Sequence, residues 1–267
     1  MHRSPYFGQS VEFLQHREYA TGDDLRHIDW KVWAKQDRYY VKQFEEETNL
    51  RAYVVLDTSE SMAWVSDPER YVTKLAYARL LAASLSLLLL RQGDAVGLIA
   101  FDEEIRAHVE ARGVLRHVNR LVRELEALDG HGGTGAERAL GDVAVRLRRR
   151  GLVVLLSDLL VAQQATRDAL HDLRHRGHEV LVFHLMDPAE RDLPTAGDAL
   201  FFDPETDEEL RTSSSALRRE YGRAVEQAIG DWRRVCRGMG ADYELVTTDT
   251  PVDHVLRRYL EKRARLG

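Results

Sequence analysis

The stretch YVVLDTSESMAW, residues 53–64, runs four apolar positions into Asp57 and then sets Ser59 and Ser61 at alternate positions. The apolar run reads as a buried strand. In an extended turn alternate residues point the same way, so Asp57, Ser59 and Ser61 can converge on one point while Thr58 and Glu60 point elsewhere. Two more oxygen donors recur downstream. Thr134 sits in GHGGTG (130–135), where glycines 132, 133 and 135 let a loop approach closely, and Asp158 closes LVVLLSD (152–158). Two carboxylates and three hydroxyls, with no thiolate and no required imidazole, suit a hard cation: magnesium first, with manganese or calcium as substitutes. Each residue alone has a plainer role, since serines and acids after a strand commonly cap helices or turns. It is the conjunction of D-x-S-x-S, a glycine-flanked Thr and a strand-ending Asp that points to a cation.

These side chains need strands and loops to bring them together. From residue 51 onward, short β-branched runs alternate with helical patterns, the signature of a mostly parallel, doubly wound α/β sheet. Strands are expected at 51–57, 95–101, 152–158, 179–186 and 243–248, with EIRAHVE as a short edge strand after Asp102. Helices are expected at about 69–91, 115–125, 136–149, 164–176 and 214–239, and from 252 onward. Apolar residues flanking Pro-Glu-Thr-Asp in DALFFDPETDEEL (198–210) predict a hairpin. In open parallel sheets, ligands bind outside the carboxyl ends of the strands, where Asp57 and Asp158 fall.

Residues 1–50 are polar, aromatic and irregular, and read as an N-terminal wrapping segment on a 51–267 domain. Their tryptophans, Trp30 and Trp33, are expected to be buried, and their acids Asp23, Asp24 and Asp29 to pair with arginine or cap backbone N–H groups. With 44% hydrophobic and 31% charged residues the chain has the balance of a soluble globular protein. A net charge of −6 argues against nucleic acid. The single cysteine, Cys236, excludes an internal disulfide framework and nothing at the N-terminus has the layout of a secretion signal, which favours the cytoplasm. LLAASLSLLLL (80–90) falls short of the roughly 20 residues that span a bilayer and reads as a buried helix, so no membrane span is expected in this chain.

DTSESM resembles the first motif of the metal-ion-dependent adhesion site of von Willebrand factor A domains. That resemblance implies Asp57, Ser59, Ser61, Thr134 and Asp158 as the metal ligands. Upstream, REYATGDDLRHIDWKVWAK and VKQFEEE resemble the bacterial domain of unknown function 58 family, in which such a leader joins an A-domain-like core. Arg17, Tyr19, Gly22, Asp23, Asp24, Arg26, Asp29 and Trp30 fall on that signature, which carries no established chemistry. The resemblance implies a fold, a metal and a partner class, MoxR-type AAA+ ATPases; it implies no reaction.

Enzyme readings fare less well. GHGGTGAE lacks the lysine of a phosphate-binding loop, and Ser59 lacks the G-x-S-x-G elbow of a hydrolase nucleophile. An aspartyl-nucleophile phosphatase using Asp57 is the alternative, but Ser59 stands where its general acid would be. His171 and His175, one helical turn apart in HDLRH, are expected on a solvated face with His178 beyond them. His184 reads as a satisfied interior histidine and Cys236 as a packing residue. The expectation is therefore a metal-dependent protein-binding module, without catalytic residues, that takes an Asp or Glu of a partner on the ion and serves as adaptor or co-chaperone to the ATPase.

Overall fold

A computed structural model describes residues 11–19, 29–30, 32–33, 39–46, 50–130, 136–147, 149–160, 163–193, 199–202, 209–212 and 215–266. The chain divides into two units, Met1–Leu50 with Leu266–Gly267, and Arg51–Arg265. In the first, β1 (Val11–Glu18) pairs antiparallel with β2 (Tyr40–Glu46), with a register shift between Phe13 and Gln15. The segment expected to be irregular thus contains a hairpin, although neither strand alternates regularly between apolar and polar residues. Asp29 is buried and caps a turn, its Oδ1 accepting the Val32 N–H at 3.3 Å. The tryptophans depart from expectation: Trp30 and Trp33 are 58% and 37% exposed, and stack edge-on with each other rather than filling a core. Asp23, Asp24 and Arg26 lie outside the described residues.

The second unit holds a six-stranded sheet made of β3 (Arg51–Asp57), β4 (Ala95–Phe101), β5 (Ile105–Arg112), β6 (Leu152–Ser157), β7 (Glu179–Met186) and β10 (Asp242–Thr247). The order is β10-β7-β6-β3-β4-β5, parallel except for β5 at the edge. β8 (Ala199–Phe202) and β9 (Glu209–Thr212) form the expected antiparallel hairpin. Because the chain leaves β3 for β4 on one side and returns to β6 on the other, the connections diverge between β3 and β6. Such a switch point opens a crevice at the strand ends.

Seven helices of the described residues cover or flank the sheet: α1 (Lys74–Arg91), α2 (Val118–Glu126), α3 (Ala136–Arg146), α4 (Gln163–His175), α5 (Pro188–Arg191), α6 (Ser215–Gly238) and α7 (Val252–Leu266). One face of the sheet, through Val55, Ile99, Val153, Leu155 and Val182, packs on α3, α4 and the Trp232–Cys236 stretch of α6. Cys236 is fully buried there, as expected of a packing residue, and burial pushes its thiol up to about 11. The apolar run 80–90 is indeed a buried helix, α1, which lies along the sheet. Among the described residues no helix is long and apolar enough to cross a membrane.

α1 begins five residues later than the periodicity predicts. Thr73 caps it, its Oγ1 accepting the Ala76 N–H at 3.1 Å, and the preceding residues are held in a turn by Asp67. The competing local bond of an acid two residues before Glu69 outweighs helical spacing there.

The strands that carry the two acids start side by side, and their spacing has no slack. A Cβ added to Gly151, just before β6, would stand 2.1 Å from the Arg51 carbonyl oxygen at the start of β3. Gly151→Ala is therefore expected to cost about 2–4 kcal/mol, as overpacking against backbone does. Urea denaturation of the variant and the parent measures it; a loss under about 0.5 kcal/mol would contradict the account.

Candidate functional site

The carboxyl ends of β3 and β6 bring together Asp57, Ser59 and Ser61, with Asp158 near enough for its charge to act on Asp57. Asp57 ends β3 and is 1% exposed. Its Oδ1 accepts the Ser59 N–H at 2.9 Å, and its Oδ2 accepts the Ser157 hydroxyl at 2.6 Å. Ser59 is buried and opens the 3-10 turn Glu60–Ala63, which brings its Oγ within 3.2 Å of the Ser61 Oγ. Thr58 turns the other way, giving both its N–H and its hydroxyl to the Phe101 carbonyl at the end of β4. Alternation along the turn thus sorts the side chains as the spacing predicts. Asp158, 1% exposed, follows β6 directly. Thr134 lies outside the described residues.

Three side chains that the spacing argument passed over complete this arrangement. Ser157 links the two strand ends, its Oγ donating to Asp57 and accepting the Leu159 N–H at 3.0 Å. Lys74, the first residue of α1, is 0% exposed; its Nζ lies 2.9 Å from Asp158 Oδ2 and also donates to Glu190. Glu190 is held in turn by a capping box at α5: its Oε2 accepts the Asp187 N–H at 2.8 Å, while Asp187 Oδ1 accepts the Ala189 N–H. The other Asp187 oxygen takes the Ser66 N–H at 3.1 Å, so the loop that follows the serines is tied to the end of β7. The half-exposed Trp64 ring stands 6.0 Å from Lys74 Nζ, closing the rim.

Asp158 is oriented from several sides. Lys74 binds Oδ2, the Leu160 N–H reaches Oδ1 at 3.2 Å, and the His184 ring hydrogen-bonds to the Asp158 backbone. His184 is the satisfied interior histidine expected, with Nδ1 2.7 Å from the Tyr243 hydroxyl; burial pushes it down to about 4, so the ring is neutral. The turn continues through Leu159 at φ 56°, a left-handed conformation that non-glycine residues rarely adopt. Its side chain is buried in the core, which holds the backbone there.

The electrostatics are unbalanced. Three carboxylates, Asp57, Asp158 and Glu190, face one ammonium. Burial and, after it, the neighbouring Asp158 charge raise Asp57 to about 6, the hydrogen bonds from Ser157 and Ser59 only partly opposing them. For Lys74, burial disfavours the ammonium, but the charges of Asp158 and Glu190 outweigh it and the net shift is upward. Burial raises Glu190 despite its bond to Lys74.

The other candidates fall away from this crevice. His171 and His175 are exposed on α4, as expected, but His178 is buried, its Nε2 3.0 Å from the Leu147 carbonyl. Among the described residues no group of three or more His, Cys, Asp or Glu side chains gathers to hold a metal. A cation in the crevice would therefore need the serine hydroxyls among its ligands, and the all-oxygen set of Asp57, Ser59, Ser61 and Asp158 fits a hard divalent ion. Lys74 gave no such signal in the sequence, because the periodicity starts the helix at about 69; only the observed start puts this cation in the first turn, where it opposes the helix dipole unless acids meet it.

A raised carboxyl implies a definite pH response. The folded chain holds the Asp57 proton up to about 6, against 3.8 for the ordinary group. Folding is thus favoured by protonation between these values, and this contribution is lost as pH rises through about 6. Asp57→Asn, which keeps the acceptor and removes the charge, is expected to stabilise the chelator-treated protein at pH 7.5 by on the order of 1–3 kcal/mol and to flatten its stability between pH 4 and 6. Urea titrations across that range measure both effects; a variant less stable at pH 7.5 with an unchanged slope would contradict this assignment.

Comparison with known proteins places the chain by family and by fold. An uncharacterised protein of Mycobacterium tuberculosis is 29% identical over 262 residues, covering 97% of this chain and 81% of its own, and one of Mycobacterium bovis matches equally. The crystal structure of the conserved hypothetical protein BatB from Bacteroides thetaiotaomicron superposes with TM-score 0.51 at 15% identity, over 81% of this chain and 99% of that one. The pilus adhesin SpaC from Lactobacillus rhamnosus GG gives 0.54 at 13% identity, over 82% of this chain and 31% of that one. Those two likenesses concern the fold, an α/β sheet of the von Willebrand factor A-like kind. The family described as protein of unknown function DUF58 matches residues 15–229, and the chain belongs to it.

Proposed function

We propose that the chain is a protein-binding module that grips an acidic side chain of its partner through a divalent ion, magnesium in the first instance, with manganese or calcium as substitutes. The von Willebrand factor A-like fold points to protein interaction. One observation carries the finer reading: Asp57 and Asp158 are buried side by side at the switch point, each 1% exposed, with the Ser59 and Ser61 hydroxyls turned to the same crevice. Asp57, Ser59, Ser61 and Asp158 would hold the ion, joined by Thr134 on the sequence argument. The ion would supply Lewis-acid affinity for a carboxylate. The chain's own residues fix the acids, keep them out of water and, with Lys74 the one ammonium beside them among the described residues, leave their charge only partly compensated.

The aspartyl-phosphatase alternative draws less support. Both Asp57 oxygens accept hydrogen bonds and the carboxyl is nearly inaccessible, a poor setting for a nucleophile. The partner class, a MoxR-type AAA+ ATPase served as adaptor or co-chaperone, rests on the family resemblance of the leader segment. A cytoplasmic setting rests on the lone buried cysteine.

Magnesium is expected to raise the melting temperature of the wild-type chain saturably at pH 7.5, and less at pH 5, where Asp57 holds its proton. Ser59→Ala should reduce the shift at least threefold and Asp57→Asn should abolish it. Partner protein captured from lysate in magnesium should elute with EDTA. No shift at any magnesium concentration up to 10 mM would overturn the metal reading, and capture unaffected by EDTA would overturn the metal-bridged contact.

A further inference from the structure

We infer that Lys74 is a built-in competitor of the divalent ion, an affinity-determining residue that holds part of the site's negative charge while no cation is present. The inference rests on the metal-binding reading proposed above. Its basis is geometric. A lysine with no exposed surface is rare unless paired, and here its Nζ meets two acids from separate elements, Asp158 after β6 and Glu190 on α5. It does so from the first turn of α1, where the helix dipole disfavours a cation. The ammonium commits Asp158 Oδ2, while Oδ1 takes the Leu160 N–H at 3.2 Å, its one hydrogen bond among the described residues. A divalent ion must therefore share Asp158 with a tethered cation and bind within a few ångströms of a positive charge. Like-charge repulsion at that range weakens binding substantially.

The same arrangement gives Glu190 a role away from the ion. By pulling on the second side of Nζ, Glu190 draws the ammonium from Asp158 and offsets its charge. Because Glu190 sits in the α5 capping box, and Asp187 of that box also holds Ser66, cation entry would be felt by the loop that follows the serines. Trp64, on that loop and 6.0 Å from Nζ, is placed to report it.

Two substitutions with opposite expected signs test this. Lys74→Met removes the competing charge and should tighten magnesium binding at least tenfold by isothermal titration calorimetry, while lowering the melting temperature of the chelator-treated protein. Glu190→Gln leaves the ammonium to Asp158 alone and should weaken magnesium binding at least threefold. In the wild type, magnesium should shift tryptophan emission, and Trp64→Phe should remove that shift. If Lys74 only tethers Asp158, Lys74→Met would weaken binding instead, and unchanged or weaker binding overturns the proposal while leaving the metal reading standing. Should Lys74→Met not fold, an unchanged or tighter Glu190→Gln overturns it. If the wild type binds no magnesium but Lys74→Met does, the metal reading of the wild type fails and the competition is upheld. Binding by neither ends both.

Discussion

Two carboxylates are kept out of water at the carboxyl ends of two adjacent strands, and among the described residues a single ammonium serves them and a third acid. Much of the local architecture bears on that imbalance. A buried charge without a partner is among the costliest groups in a folded protein, so evolution rarely leaves one without a compensating contact. Here Asp57 has hydrogen bonds but no counter-ion at contact distance among the described residues, and its carboxyl is raised accordingly. Under the metal-binding proposal, a divalent ion beside Asp57 would offset that cost.

The sheet topology fixes where this occurs. β3 and β6 are adjacent and parallel, and residue by residue they stay in register from Ala52 with Leu152 to Leu56 with Leu156. Asp57 and Ser157 thus emerge side by side, and Ser157 can reach across to Asp57. Asp158 comes one residue later, into the strained Leu159 turn. Lys74 arrives from the opposite layer because α1 packs along the same strands, and Glu190 arrives because β7 neighbours β6. Four elements distant in sequence meet at one end of the sheet, and the parallel arrangement alone makes this possible.

The legible part of this was local or periodic. Val54, Val55 and Leu56 announce a buried strand, the alternation of Asp57, Ser59 and Ser61 announces their convergence, and the five parallel strands of the large sheet follow their expected bounds to within a residue, while the edge strand runs two residues further than expected. The hairpin around Pro204 was visible in its flanking Phe residues. What the residues could not announce depends on contacts between distant elements. Nothing near Lys74 in sequence reveals Asp158 or Glu190, 84 and 116 positions away. Ser157 reads from the sequence as an inner residue of a strand closed by Asp158, and its role needs the register of β3 against β6. The β1–β2 hairpin was hidden because its strands, VEFLQHRE and YVKQFEE, lack a regular apolar–polar alternation and are separated by more than twenty residues. Trp30 and Trp33 misled for a plain reason: large aromatic rings are usually buried, yet an exposed cluster satisfies the same composition.

The central claim is that a divalent ion belongs between the acids of β3 and β6. Crystals grown in manganese and measured at the metal's absorption edge test it most directly. The account predicts one strong anomalous peak bounded by oxygens of Asp57, Ser59, Ser61 and Asp158. A map at saturating manganese with no peak there, and the Lys74 ammonium still on Asp158 and Glu190, would contradict it.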